Sequence, residues 1–502
     1  MTMDAGTAQY DRWKAPSEDG QLLIWPEGEQ LLADTRENGR RLAGSDAARV
    51  QNVPLPEVRR RLREWLGHED GKPLIATGHQ SELHHPGVWA KNALMDAVAA
   101  KVGGRAVHFA VDTDEPKHLE LRWPGGSVPL TDDPASHRAA WSGLVRPPTP
   151  VHVREVENAF SEAAAAWSFK PLVREFLSGL AKRSVEASNL PVALSDSLHQ
   201  LDWGLGLRYD AMIVSPICQS EPYLLFVHHV LARAGEFAAH YNDALARYRR
   251  MNKIKDAGRP MPDLKVSGEG CEVPFWLDSL GEGTRSRAAV APIEGLWALR
   301  VGDEAFRFDA TIDGWEAAGA LLRWLGRRGL RLSPRALTLT CVLRLLVADQ
   351  FVHGIGGGQY DRVLDVLIAD HFGIEPPRFS VTTATLYFPE AVGQPRACLP
   401  CIVREGHRLR HSVLGAEKMR LVERIAALPR GSSERSSLFY RMHERLGEAG
   451  KSEPIREWEQ RLREAEERVQ VERVLFDREL FYAIQPRERL EGVIDRYRGR
   501  FE

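Results

Sequence analysis

The sequence predicts an α/β fold with a parallel-sheet core, and three observations carry that expectation. An apolar run, a polar loop and a helical stretch follow one another in "PLIATGHQSELHHPGVWAKNAL" (73–94), and a second apolar run, "AVHFAV" (106–111), completes a strand–helix–strand unit of the expected size. The same strand–loop–helix order returns in "DQFVHGIGGGQYDRVLDVLIADHFG" (349–373). Beyond Ala416 the chain becomes charge-dense with apolar residues at three-to-four spacing, the pattern of a helical hairpin or short coiled coil.

In chain order, residues 1–70 are polar and charged, with Val58, Leu62 and Leu66 at helical spacing, and predict a helical N-terminal lead-in. Residues 71–415 form the α/β core. Within it, a Pro-, Gly- and Asp-rich stretch followed by helical runs makes an insertion over about 113–205, and "DAMIVSPI" supplies a third strand. Residues 221–250 read as one long helix, whereas about 265–312 alternates, with turn signals at Gly295 and Gly302, as an antiparallel meander. In 416–502, Leu421, Ile425 and Leu428 mark one helical arm and Ile455, Trp458, Leu462, Ala465 and Val469 a second. Ser452 with Glu453 and Pro454 reads as the second arm's start, and Pro486 as its end.

At 502 residues the chain exceeds what one core of roughly 150 residues organises, so two or three domains are expected. Lys plus Arg number 67 against 69 Asp plus Glu, a net charge of −2, which gives no basic footprint for nucleic acid. The opening "MTMDAGTAQYDRWKAPSEDG" has no apolar signal core, and no segment approaches the ~18 apolar residues of a membrane span. The expectation is a cytoplasmic protein whose partners are small molecules and a second copy of itself, joined through the helical arm. Five cysteines (Cys218, Cys271, Cys341, Cys398, Cys401) form no disulfide framework and suit a reducing compartment.

In a right-handed strand–helix–strand unit both strands run the same way, so the loops after Thr77 and Val111 emerge at one sheet edge, where α/β proteins bind ligands. The first loop offers Thr77, Gly78, His79, Gln80, His84 and His85, with Lys91 on the following helix; the second offers Asp112, Asp114, Glu115 and His118. Any one of these histidines can be an ordinary surface or core residue, and Lys91 an ordinary solvated lysine; their convergence is what points to a site. His79, His84, Asp112, Asp114 and His118 are also metal-ligand types, but their spacing matches no dedicated motif, and no metal is expected there. In "CLPCIVREGHRLRH", Cys398, Cys401, His407 and His411 have the order of a compact zinc knuckle; the alternative, favoured if "IVREGHRLRH" is largely helical, is two ordinary cysteines and an exposed His pair.

"HGIGGGQYD" places Gly354, Gly356, Gly357 and Gly358 before a helix, freeing backbone N–H groups to approach a phosphate or carboxylate. His353, Tyr360 and Asp361 flank them. Gln359 stands where a dinucleotide fingerprint needs glycine and no P-loop lysine follows, so neither of those sites is supported. A tight turn with close packing is the structural alternative.

Together these stretches resemble the bacillithiol-synthase family of cysteine ligases, which join cysteine to glucosaminyl malate. "TGHQ" (77–80) with Lys91 is similar to that family's Thr-Gly-Gln-Gln loop and helix lysine, "HFAVDTDEPKH" to its strand ending in Glu-Asp-His-Asp, and "FVHGIGGGQYD" with "FGIEPPRFSVTTATL" to its Gly-Gly-Pro-Gly and Pro-Pro stretches. His79 replaces a glutamine and the glycine run lacks the proline. The resemblance spans 70–390 discontinuously. It implies a Rossmann-like core of nucleotidyltransferase or class I synthetase type with an inserted connecting region and a dimerising coiled-coil arm. It also implies a cleft for aminosugar, cysteine and a nucleotide, ATP or ADP.

Three functions follow as expectations. In a carbon–nitrogen ligase, His79 and Gln80 orient an activated carboxyl, Asp112 or Asp114 holds the amine and accepts its proton, and the 354–358 backbone binds an anion. The alternatives are a metal-dependent hydrolase using the His/Asp loops and a non-catalytic dimeric scaffold working through its helical arm.

Overall fold

The computed structural model describes residues 13–394, 398–412, 414–449 and 453–502. Its centre is a six-stranded sheet of β1 (Leu22–Trp25), β2 (Leu74–Gln80), β3 (Arg105–Val111), β4 (Asp210–Ile213), β5 (Gln350–His353) and β6 (Phe379–Ala384), ordered β1-β6-β5-β2-β3-β4. All neighbours are parallel except β1, which runs antiparallel along β6 with Ile24 opposite Thr382. The α/β class is therefore observed, with a mostly parallel sheet. The N-terminal lead-in is not wholly helical: helices Gly28–Ala43 and Leu55–Trp65 are present, but "LLIW" is an edge strand.

Helix α1 (Pro86–Val102) connects β2 to β3. Pro86 sits in its first turn, His85 caps it by accepting from Gly87 N, and Gly103 closes it at φ 65°. Thirteen of its residues are buried, so it is enclosed nearly all round rather than amphipathic as its spacing suggests. The insertion holds a hairpin (Glu120–Trp123 with Gly126–Pro129) and helices Pro150–Ala164, Val173–Arg183 and Leu190–Gly204.

The helix expected over 221–250 is two, α2 (Glu221–Ala232) and α3 (Ala234–Met251), broken at Arg233 with φ −120° and ψ 32°. Gly235 stands two residues beyond the break, in the first turn of α3. The Arg233 side chain is drawn to Gln51 and His229. Strands 270–279, 284–293, 296–301 and 304–308 form the antiparallel meander, turning at Gly295 and Gly302, and 330–334 joins its far edge. Helix α4 (Ile355–Phe372) follows β5 and ends at Gly373, φ 66°. The main core lies where Leu74, Val107 and Phe109 of the central sheet meet α2, α3, α4 and Phe275, Phe308 and Leu332 of the second sheet.

At the amino end of the sheet a buried carboxylate ties β5 to its surroundings. Asp349 accepts from Arg59 at 2.6 Å, Arg63 at 3.1 Å and Leu74 N at 2.6 Å. A buried charge persists only when paired this fully.

The chain divides into two compact units, one comprising 13–386 with 478–502 and the other Tyr387–Asp477. The second holds α5 (Leu399–Ser412), α6 (Gly415–Ala427), α7 (Ser433–Ala449) and α8 (Glu453–Leu475). The arms expected to pair with each other do not: Leu421 and Ile425 of α6 pack on Leu438 of α7, while α8 lies along α5, with Trp458 Nε1 donating to Ile402 O at 2.7 Å. Periodicity reveals an apolar face but not its partner. Cys398 and Cys401 are disulfide-bonded, one turn apart at the start of α5, whereas the sequence suggested free thiols or zinc ligands; the His411 side chain and Ser452 lie outside the described residues. Residues 478–502, including α9 (Arg487–Arg498), belong to the first unit rather than to the helical arm. No helix among the described residues is long and apolar enough to cross a membrane.

Candidate functional site

Because β2, β3 and β5 are parallel neighbours, their carboxyl ends open side by side, and a cavity of about 740 Å³ lies there. Twelve of the residues singled out by sequence line it: Gly78, His79, Gln80, His85, Lys91, Asp114, His353, Gly354, Gly356, Gly357, Tyr360 and Asp361. Met261, Trp276, Leu337, Leu343 and Phe351 provide apolar wall. The volume falls within the range of about 300–1,000 Å³ usual for small-molecule sites.

The other six point elsewhere. Thr77 Oγ1 donates to Val352 O at 2.7 Å, tying β2 to β5. Asp112 is buried away from the cavity, accepting from Ser215 N at 2.8 Å, so it fastens the loop after β3 rather than facing a substrate. His84 lies behind the cleft beside His108 and a cavity of about 20 Å³, with room for one water. Glu115 and His118 are exposed, His118 with φ 48°. Gly358 faces Val381 and Trp13.

One wall of the cleft is rich in buried, incompletely paired groups. Lys91 is 4% exposed on α1, and its Nζ donates to Gly78 O at 2.7 Å. Burial pulls its pKa down to about 7, against an opposing pull from Glu82. His79 Nε2 lies 2.9 Å from Glu82 Oε1, while Glu82 Oε2 is buried without a hydrogen-bond partner. Burial pushes the Glu82 carboxyl up and holds His79 well below its ordinary value, with Lys91 the next cause for His79. His84 and His85 fall to about 3 and about 4, again chiefly through burial. The imidazoles are therefore neutral at neutral pH, and Lys91 is divided between its two forms. Gln80 Nε2 donates to Asp114, which stands half-exposed at the mouth.

The opposite wall is the β5–α4 junction. The glycines expected in a loop form the first turn of α4: Gly354 is the N-cap, no side chain caps it, and Gly358 N already closes to Gly354 O at 3.0 Å. The N–H groups of Ile355, Gly356 and Gly357 thus open onto the cleft end of the helix. A Cβ at Gly357 would lie 2.7 Å from His353 Nδ1, whereas at Gly354 and Gly356 it would meet nothing within 4 Å. His353 Nε2 is 2.7 Å from Asp361 Oδ2, which also accepts from Arg344 at 2.8 Å. Burial would raise the Asp361 carboxyl, but His353 and Arg344 beside it hold it below the usual range.

Residues distant in sequence complete the cleft. Arg478 donates to Thr383 Oγ1 at 2.8 Å and lines the rim with Glu479. Gly87 permits this approach, since a Cβ there would lie 2.7 Å from the Arg478 guanidinium and 2.5 Å from Thr383 Oγ1. Glu82, which supports His79 from three residues away, was within reach of a spacing argument; Arg478 and Trp276, and Arg335, which also lines the cleft, carry no local signal.

Fold and site together define an α/β protein with a ligand-sized cleft at the carboxyl ends of parallel strands. Neither a family model nor a curated protein matches the chain.

Proposed function

We propose that the cleft belongs to a carbon–nitrogen ligase of the bacillithiol-synthase kind, joining an amino acid such as cysteine to an aminosugar-type amine through an activated carboxylate. The observation that carries this reading is that Lys91, with a pKa of about 7, shares one cavity with the uncapped first turn of α4. A base poised near neutrality and a set of anion-directed N–H groups are what amide formation needs. The amine must lose a proton as its nitrogen attacks the carboxyl carbon, and the departing group and developing oxyanion carry negative charge.

Lys91 in its neutral form, or Asp114 at the mouth, accepts the amine's proton; His79 and Gln80 orient the carboxyl. Asp112, engaged with Ser215, positions the loop that presents Asp114. The first turn of α4 would hold the phosphates of a nucleotide, a fit supported by the open space at Gly354 and Gly356. ATP, when bound, supplies the leaving group that a carboxylate lacks. A Rossmann-like ancestry of the core, a homodimer and cytoplasmic residence belong to the same proposal.

The hydrolase alternative gains less support, because the donor atoms of His79, His84, Asp112, Asp114 and His118 do not gather within metal-binding reach of one another among the described residues. The deciding experiment incubates reduced, purified protein with glucosaminyl malate and cysteine, with and without ATP, and seeks the cysteinyl adduct by mass spectrometry. An ATP-dependent adduct is expected. No adduct from folded protein, with these or a panel of other amine and acid pairs, would overturn the ligase reading.

A further inference from the structure

Outside the cleft, Glu236 and His240 stand one helical turn apart on α3, and His371 faces them from the last turn of α4. One donor atom from each lies within 4.8 Å of the other two. We propose that Glu236, His240 and His371 bind one divalent d-block cation of the zinc type, fastening the C-terminal end of α4 to α3.

Two features of the geometry converge on this. Residues four apart on a helix share a face, so Glu236 and His240 present their heads to the same point. Imidazole Nδ1 of His240 lies 3.3 Å from Nδ1 of His371. Two nitrogens each about 2.0–2.1 Å from a tetrahedral zinc are separated by about 3.3 Å.

Rigid support comes from the surroundings. His371 is held edge-on against Phe237 and Phe372, with ring centroids 4.9 Å away in both cases. The nearby cation, Arg233, is turned toward Gln51 and His229. Two histidines and one carboxylate are a zinc donor set that leaves a fourth position for water. Along α4, His371 lies sixteen positions beyond Ile355, about 24 Å at 1.5 Å per residue, while on α3 Tyr241, next to His240, lines the cleft. Its role is therefore to brace α4, whose other end lines the cleft.

The test titrates chelator-treated full-length protein with zinc chloride alone, by calorimetry and by thermal melting. One equivalent should bind and raise the melting temperature. Glu236→Gln and His240→Ala should weaken binding, His240→Ala by on the order of 100-fold or more, since even second-layer changes around zinc cost 10–100-fold. Both variants should melt like the metal-free parent without zinc. Glu236 is exposed, so Glu236→Gln decides the matter even if His240→Ala fails to fold. The Cys398→Ser/Cys401→Ser double variant should keep the site. No stoichiometric binding, binding unaltered by Glu236→Gln and His240→Ala, or binding lost with the cysteines would overturn the proposal.

Discussion

The two walls of the cleft handle buried charge in opposite ways. On the α4 side, Asp361 is shared by Arg344 and His353, and Arg344 is further held by Asp365 at 2.7 Å. On the α1 side, Lys91 has one carbonyl, and Glu82 keeps one oxygen without a partner. The first arrangement holds the Asp361 carboxyl below its usual range; in the second, burial brings Lys91 to about 7. Paired networks suit a scaffold, whereas a desolvated, sparsely paired amine lining a cavity, as Lys91 is, marks where stability has been exchanged for chemistry.

The largest expected effect tests the scaffold wall. Asp361→Ala leaves Arg344 buried beside a lost partner and should cost about 3–5 kcal/mol in urea unfolding. Because the folded pKa of Asp361 is depressed, its contribution is fully present above its unfolded pKa of about 3.9 and is lost as pH falls through the lower folded value. A wild-type acid-unfolding curve that Asp361→Ala leaves unchanged would contradict the pairing.

Next comes a change of opposite sign on the other wall. Lys91→Met removes a desolvated amine and should stabilise the protein at pH 7 by up to about 4 kcal/mol, less what the Gly78 hydrogen bond contributes, while abolishing adduct formation. With a folded pKa of about 7 and an unfolded value of about 10.4, the unfolded chain binds more protons between those limits. Wild-type stability should therefore rise with pH across that window, and the variant should lack this component. Denaturant melts at several pH values decide it; destabilisation in the variant would place Lys91 among the structural groups.

A smaller effect links the walls. Gly357→Ala brings a methyl within 2.7 Å of His353 Nδ1, so the imidazole must shift from Asp361 or the helix start must move. The expected cost is about 1–3 kcal/mol, the usual range for overpacking. Gly356→Ala, with open space around it, should leave stability nearly unchanged while weakening an anionic ligand by crowding the turn.

How much of this was legible follows from where each signal resides. "PLIAT" and "AVHFAV" are strands because apolar runs end at turn-forming residues, a local property, and parallel order then brings His79, Gln80 and Asp114 to one edge. The glycines of 354–357 announced a helix start for the same reason. Side-chain direction is not local: Asp112 turns inward because Ser215 N, over a hundred residues away, offers it a donor. Nothing near Arg478 foretells that it crosses to Thr383, and the single glycine near the break at Arg233, Gly235, is too weak a signal to divide an otherwise continuous helical pattern. In the helical unit, the apolar faces of α6 and α8 were visible, but their choice of α7 and α5 depends on the path of the whole segment.

The finest distinction lies between two neighbouring carboxylates that sequence could not separate. Asp114 is half-exposed, bonded to Gln80 and 3.9 Å from Lys117, so Asp114→Asn should move stability by no more than about 0.5 kcal/mol, as at ordinary surface positions. If it accepts the amine's proton, turnover should nonetheless fall by roughly 100-fold or more, the usual contribution of a general base. Asp112→Asn should do the reverse. Burial raises its carboxyl even as Ser215 hydrogen bonds to it, so an amide fits electrostatically, but the fit is imperfect and about 1 kcal/mol should be lost with only modest change in rate. Comparing kcat and denaturation midpoint for the two variants separates a residue that meets the substrate from one that holds its neighbour in place, and a collapse of rate in Asp112→Asn alone would return the proton-accepting role to the position nearer the strand.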